Sequence, residues 1–252
     1  MENKGLTLKL KVWRQENQTA KGKYVDYTIS DVNPDMSFLE MLDILNEDIV
    51  KDDGLPIEFD NDCREGICGM CGMVINGTAH GPKHGTTTCE IRMRHFKDGS
   101  TIVVEPFRAG AFPVLKDLAV DRSSFDRIMA KGGYVTVRVG GVPDAKALPV
   151  KKENADLAMD YASCIGCGAC VAACPNASSS LFVGAKVSQF ALLPQGSPEA
   201  HRRVERMVLQ MDDEGFGACT NHGECEAVCP KEISITAIAR LRREYQKALI
   251  AG

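Results

Sequence analysis

Leu6, Leu8, Leu10 and Val12 alternate with Thr and Lys, and a period of two marks a strand with one buried face. A polar, glycine-containing stretch at 15–22 leads to a second strand-like run at 24–29, so the pair is expected to form a hairpin with an extended loop. After Asp35, a residue able to cap a helix, the repeat changes: Phe38, Leu39, Leu42, Leu45 and Ile49 recur at helical spacing. Short apolar runs follow at 57–59, 73–75 and 102–104. This order predicts a small sheet with one helix laid across it. Residues 107–150 contain Pro113, Pro143 and Pro149, glycine pairs at 132–133 and 140–141, and no cysteine, and read as a connector with a short helix near 123–129. From about Lys151 the pattern is helical, with periodic stretches at 200–211 and 233–249. In the last of these, Ile235, Ile238, Leu241, Tyr245 and Leu249 mark the apolar side, and Arg240, Arg243 and Lys247 lie largely opposite as a solvated basic face.

The 252 residues are 44% hydrophobic and 25% charged, which supports a packed core and excludes wholesale disorder. Lys and Arg number 30 against 34 Asp and Glu, for a formal charge of −4. No basic excess exists to hold a phosphate backbone, so nucleic acid is not an expected partner. No run approaches the ~18 apolar residues of a membrane helix, and neither a signal peptide nor an Arg-rich transit peptide is expected at the N-terminus. The sequence has no G-x-G-x-x-G opening a helix, no P-loop and no C-x-x-C-H haem attachment. His80, His84, His95, His201 and His222 are dispersed, and nothing singles out a catalytic acid–base pair.

Eleven cysteines change the picture. An odd count without a secretory signal argues against a disulfide framework, and clumped thiols in a reducing compartment point to metal. The first clump is Cys63-x4-Cys68-x2-Cys71 followed by Cys89, the plant-type spacing for a 2Fe-2S cluster. Gly66, Gly69 and Gly72 would let that loop wrap a cluster closely, in backbone conformations closed to other residues. A four-cysteine zinc site ordinarily uses paired C-x2-C knuckles, and only one is present. The second clump, Cys164-x2-Cys167-x2-Cys170-x3-Cys174-Pro175, is the bacterial ferredoxin run, whose fourth cysteine serves the other cluster of a pair. The third is Cys219-x2-His222-x2-Cys225-x3-Cys229-Pro230, with histidine at the second position. Cys164, Cys167, Cys170 and Cys229 then supply four thiolates for 4Fe-4S. Cys174, Cys219 and Cys225 supply three, so either His222 completes a second cubane or one iron is missing and the cluster is 3Fe-4S. The assignment uses every cysteine. One-electron cofactors without a substrate site point to a relay between partners.

These runs, together with Cys63-Arg64-Glu65-Gly66-Ile67-Cys68-Gly69-Met70-Cys71-Gly72 and the connector segments 113–118 and 120–122, resemble the iron–sulfur subunit of succinate dehydrogenase and fumarate reductase (succinate:quinone oxidoreductase). The resemblance implies an α+β chain: a β-grasp ferredoxin domain at 1–108, a connector at 109–150 and an all-α dicluster ferredoxin domain at 151–252. It implies 2Fe-2S, 4Fe-4S and 3Fe-4S centres in that order, and so favours the missing iron over a histidine-ligated cubane. Catalytic residues would lie on a partner flavoprotein carrying FAD; electrons would pass to a quinone at a cytochrome b type membrane anchor, which can carry haem b. Pro175, Thr220 and His222 would face that quinone, on the cytoplasmic side of a bacterial inner membrane. Ubiquinone-linked members place tryptophans after the residue matching Pro175, and a histidine after the one matching Cys219. This chain has Asn176-Ala177-Ser178-Ser179-Ser180 and Thr220, with its only tryptophan at Trp13, a pattern closer to the menaquinone-linked branch. Two other readings keep the clusters: a free-standing ferredoxin, expected to be more acidic than −4, and a thiol-driven fumarate reductase subunit, whose adjacent cysteines are absent here.

Overall fold

The alternation of the first strand places Leu8, Leu10 and Val12 on one buried face. A computed structural model describes residues 5–136, 141 and 150–251. Strand β1 (Leu6–Arg14) pairs antiparallel with β2 (Lys23–Val32), as the hairpin pattern predicts. Helix α1 (Phe38–Lys51) then crosses the sheet, burying Phe38, Leu39, Met41, Leu42 and Leu45. Its cap is Ser37 rather than Asp35. Ser37 Oγ accepts from the Glu40 amide at 3.1 Å, while the Glu40 carboxylate accepts from the Ser37 amide at 2.5 Å. Ser and Glu three residues apart close a capping box, whereas the Asp35 carboxylate pairs with Arg94 at 3.0 Å.

Strands β3 (Met73–Ile75), β4 (Thr78–Ala79) and β5 (Thr101–Pro106) complete a sheet of order β2-β1-β5-β3-β4, in which β1 and β5 run parallel. This is the β-grasp arrangement. The apolar run at 57–59 is not a strand. The Glu58 amide donates to Asp117 Oδ2 at 3.1 Å, and its carbonyl accepts from the Leu118 amide at 3.1 Å, so the segment is tied to the connector rather than to the ladder.

The connector forms a small ribbon, β6 (Val114–Lys116) with β7 (Ala119–Val120), and then helix α2 (Ser123–Gly132). It is no passive link. Phe107, Phe112, Val120 and Phe125 share a core with Val171, Phe182, Val204 and Met207, and the Phe125 and Phe182 rings stack with centroids 3.7 Å apart. Gly140, Pro143 and Pro149 fall outside the described residues.

The remainder is helical: α3 (Lys152–Ala162), α4 (Ala169–Ala172), α5 (Ser180–Ala191), α6 (Ser197–Asp213), α7 (Glu224–Ala227) and α8 (Thr236–Ala251). Helix α8 buries Ile238, Leu241, Glu244 and Ala248, while Leu249 is 61% exposed. At about 3.6 residues per turn, Ala248 lies almost directly along the helix from Leu241, and Leu249 is rotated off that line. The basic face is partly neutralised, since Arg243 and Lys247 both reach Glu244, at 3.2 and 2.9 Å. No helix among the described residues is long and apolar enough to cross a membrane.

Candidate metal centres

The loop carrying Cys63, Cys68 and Cys71 turns back through left-handed backbone at Arg64, Gly66 and Gly69, with φ of 56°, 69° and 75°. This brings the amides of Glu65 and Cys68 onto Cys63 Sγ at 3.4 and 3.3 Å, and that of Met70 onto Cys68 Sγ at 3.4 Å. Gly72, expected to serve the same purpose, has no positive φ; it is small because a Cβ there would come within 2.6 Å of the Phe107 ring. Cys89 reaches the loop from a short 3-10 turn, Thr88–Glu90. Its thiol lies 3.2 Å from Thr87 Oγ1 and is hydrogen-bonded to Cys71. That bond from Cys71, helped by Thr87, lowers the Cys89 thiol to about 6. The same bond, with burial, pushes Cys71 up. Donation from the Glu65, Ile67 and Cys68 amides brings Cys63 down to about 7. Cys63 and Cys89 are thus biased towards thiolate, the form that binds metal, while Cys71 holds its proton more tightly.

The seven remaining cysteines divide between two cavities. Cys164, Cys167, Cys170 and Cys229 line one, together with Leu181, Phe182 and Ile233. Cys174, Cys219 and Cys225 line the other, with Ser178, Ser180, Thr220 and His222. The last cysteine of each run therefore faces the cavity of the other. Backbone geometry repeats between the runs: Gly166 and Asn221 share a φ of 63°, Gly168 and Gly223 a φ of 88°, and Ala177 and Glu232 are also left-handed. Each pair is separated by the same interval as Cys174 and Cys229. The short helices α4 and α7 begin at the second of these pairs and pack on each other. Burial pushes the thiols of Cys164, Cys170 and Cys225 up, and that of Cys167 up to about 12. Binding metal here must release protons.

Of the three residues expected to face a quinone, Thr220 and His222 border the cavity of Cys174, Cys219 and Cys225, while Pro175 is exposed and lies outside its lining. Thr220 Oγ1 accepts from Asn176 Nδ2 at 2.7 Å. Thr87, Ser178, Ser180 and Arg122 join the sites without having stood out as site residues, because hydroxyls and single arginines carry no spacing signal. The first and second loops touch: a Cβ on Gly69 would lie 2.6 Å from the Ile165 carbonyl oxygen.

Among the described residues no three His, Cys, Asp or Glu side chains converge as a single metal ion requires, and none of the eleven cysteines is paired in a disulfide. Iron–sulfide cores spread their thiolates over several irons. Thiols ringing apolar cavities, with amides directed at sulfur, fit such cores.

Comparison with known proteins agrees. Residues 9–127 match the family of 2Fe-2S iron-sulfur cluster binding domains, and residues 160–233 match the 4Fe-4S dicluster domain. The succinate dehydrogenase iron-sulfur subunit of Bacillus subtilis is 34% identical over 194 residues, 75% of this chain and 72% of that one. The fumarate reductase iron-sulfur subunit of Wolinella succinogenes is 30% identical over 250 residues, 95% and 98% of the two chains. A chain of the Mycobacterium smegmatis Sdh1 complex shares the fold at 22% identity, with a TM-score of 0.65 over 96% of this chain and 97% of that one.

Proposed function

Since the chain belongs to the family of succinate dehydrogenase and fumarate reductase iron–sulfur subunits, components of an oxidoreductase complex, we propose that it relays single electrons between the FAD of a flavoprotein subunit and a quinone at a membrane anchor. Cys63, Cys68, Cys71 and Cys89 hold a 2Fe-2S centre; Cys164, Cys167, Cys170 and Cys229 hold 4Fe-4S; Cys174, Cys219 and Cys225 hold 3Fe-4S. The domains divide at 1–108, 109–150 and 151–252. The observation that carries this reading is the partition of seven thiols into a set of four and a set of three around separate cavities.

Each centre, when bound, takes up and passes on one electron. The chain does the rest. Amides on Cys63 and Cys68 offset the negative charge of the ligands, which tunes potential. Apolar side chains such as Leu181 and Phe182 keep water from the second centre. Contact of the Gly69 loop with Ile165, and of α4 with α7, keeps the gaps between successive centres short.

Exposed Thr220 and His222 on the cavity of Cys174, Cys219 and Cys225, with exposed Pro175 next to Cys174 in the chain, favour that end as the anchor side, facing the cytoplasmic surface of the membrane. A serine run at 178–180 where ubiquinone-linked members carry tryptophan favours menaquinone. His222, on the lining of that cavity, would stand beside a three-iron centre without binding metal.

Iron and acid-labile sulfide analysis with electron paramagnetic resonance tests the reading. The oxidised protein should show a single three-iron signal, and reduction should bring up the two-iron and four-iron signals. Isolated from native membranes, it should bring a flavoprotein and an anchor subunit with it. Stoichiometric zinc without labile sulfide would overturn the assignment, and a His222 nitrogen on iron would overturn its last part.

A further inference from the structure

Arg122 stands between the ribbon strand β7 and helix α2, where the two ferredoxin units meet. Its Nη1 donates to the Gly69 carbonyl and, at 2.8 Å, to the Cys167 carbonyl; its Nη2 lies 2.7 Å from Met70 Sδ. Gly69 and Met70 sit between two cysteines of the first loop, and Cys167 is a cysteine of the second. One half-buried guanidinium therefore grips both loops, beside the place where Gly69 abuts Ile165. Its bonds all go to neutral acceptors, two carbonyls and a thioether, so none of them cancels its charge.

We propose that Arg122 is a positioning residue of the relay, which fixes the spacing of the first two centres and raises the reduction potential of both. The inference rests on the ligand assignment given above. Reduction adds a negative charge to a cluster, and a nearby cation stabilises the reduced form. The planar fork of arginine can bridge two carbonyls and a sulfur at once. A lysine ammonium supplies the charge but not that geometry.

The test uses the whole membrane-derived complex with Arg122→Gln and Arg122→Lys. Midpoint potentials of all three centres are followed by paramagnetic resonance, along with the magnetic coupling between the reduced first and second centres. In Arg122→Gln both potentials should fall, each reduction equilibrium shifting about tenfold, or 59 mV for one electron. The third centre should stay put, and the coupling should weaken. Arg122→Lys should restore most of the potential but not the coupling. If Arg122→Gln moves both potentials by less than about twofold in equilibrium constant, or moves all three centres equally, the proposal is wrong. If that variant does not assemble, unchanged coupling in Arg122→Lys overturns it. Failure of the underlying assignment would be seen separately, as wild-type protein without the two-iron and four-iron signals, and would remove the proposal with it.

Discussion

His80 is buried with φ of 64°, its ring edge-on to Phe107 at 5.2 Å and its Nδ1 3.2 Å from Thr88 Oγ1, while Nε2 has no partner. Burial, and secondarily the charge of Arg122, push its pKa down from 6.5 to about 3. The folded chain keeps this imidazole neutral where the unfolded chain takes up a proton. Stability is therefore full above the unfolded pKa of about 6.5 and declines as pH falls towards 3, by about 1.4 kcal/mol per unit. The first domain should be about 2 kcal/mol less stable at pH 5 than at pH 7. His80→Asn, which tolerates the left-handed backbone and cannot protonate in this range, should flatten that slope. Denaturant midpoints at the two pH values measure it, and an equally steep slope in the variant would show that other groups are responsible.

At the scale of elements, the ribbon β6–β7 is fastened to the sheet through a buried carboxylate at its turn. Asp117 Oδ1 accepts from the Gln15 amide at 2.9 Å and lies 3.0 Å from Arg14 Nε; Oδ2 accepts from the Glu58 amide at 3.1 Å. Asp117→Ala would strand a half-buried arginine and two amides, at a cost of about 3–5 kcal/mol. Asp117→Asn keeps one acceptor and should lose less. Urea unfolding of the two variants checks the order; equal losses would mean that the single acceptor kept by Asn does not hold the ribbon, and negligible losses in both that this carboxylate does not fasten it. The two cysteine runs show the same economy of turn chemistry, with Asn221 taking the left-handed position that Gly166 takes in the other run.

For the molecule as a whole, the crossing of Cys174 and Cys229 between the two cavities leads to the prediction that the helical part depends on its metal. With each run lending a thiol to the other's cavity, bound clusters would tie α4 to α7. The sheet by contrast has an apolar core of its own, including Leu8, Leu10, Phe38, Leu42 and Ile102. Removing iron by chelation under reducing conditions should unfold residues 151–251 while the sheet persists. Circular dichroism with limited proteolysis reads this directly: helicity should fall and cleavage should concentrate after the connector. Undiminished helicity in metal-free protein would contradict it. Cys229→Ser should disturb the four-iron signal first and Cys174→Ser the three-iron signal, which separates crossed from uncrossed ligation.

Short-range order was legible because it is locally encoded. The period of two in β1 and the helical repeat of α1 state which side chains avoid water, whatever packs against them. The cysteine spacings likewise mark loops built around metal, since ligand geometry limits how many residues can separate two thiols. What needed the tertiary structure were relations between distant segments. Ser37 rather than Asp35 is the cap because α1 begins at Phe38, whose amide donates to the Ile91 carbonyl across the fold, and 57–59 leaves the ladder as Asp117 takes its amide. The supposed connector enters the second core because Phe125 finds Phe182, and Leu249 stays in solvent because Ala248 packs in its stead. Arg122 gains its place only when two loops from the two ferredoxin units, distant in sequence, close upon it. A side chain's own neighbours in sequence set its conformational menu; its partners across the fold, through burial and charge, select from it.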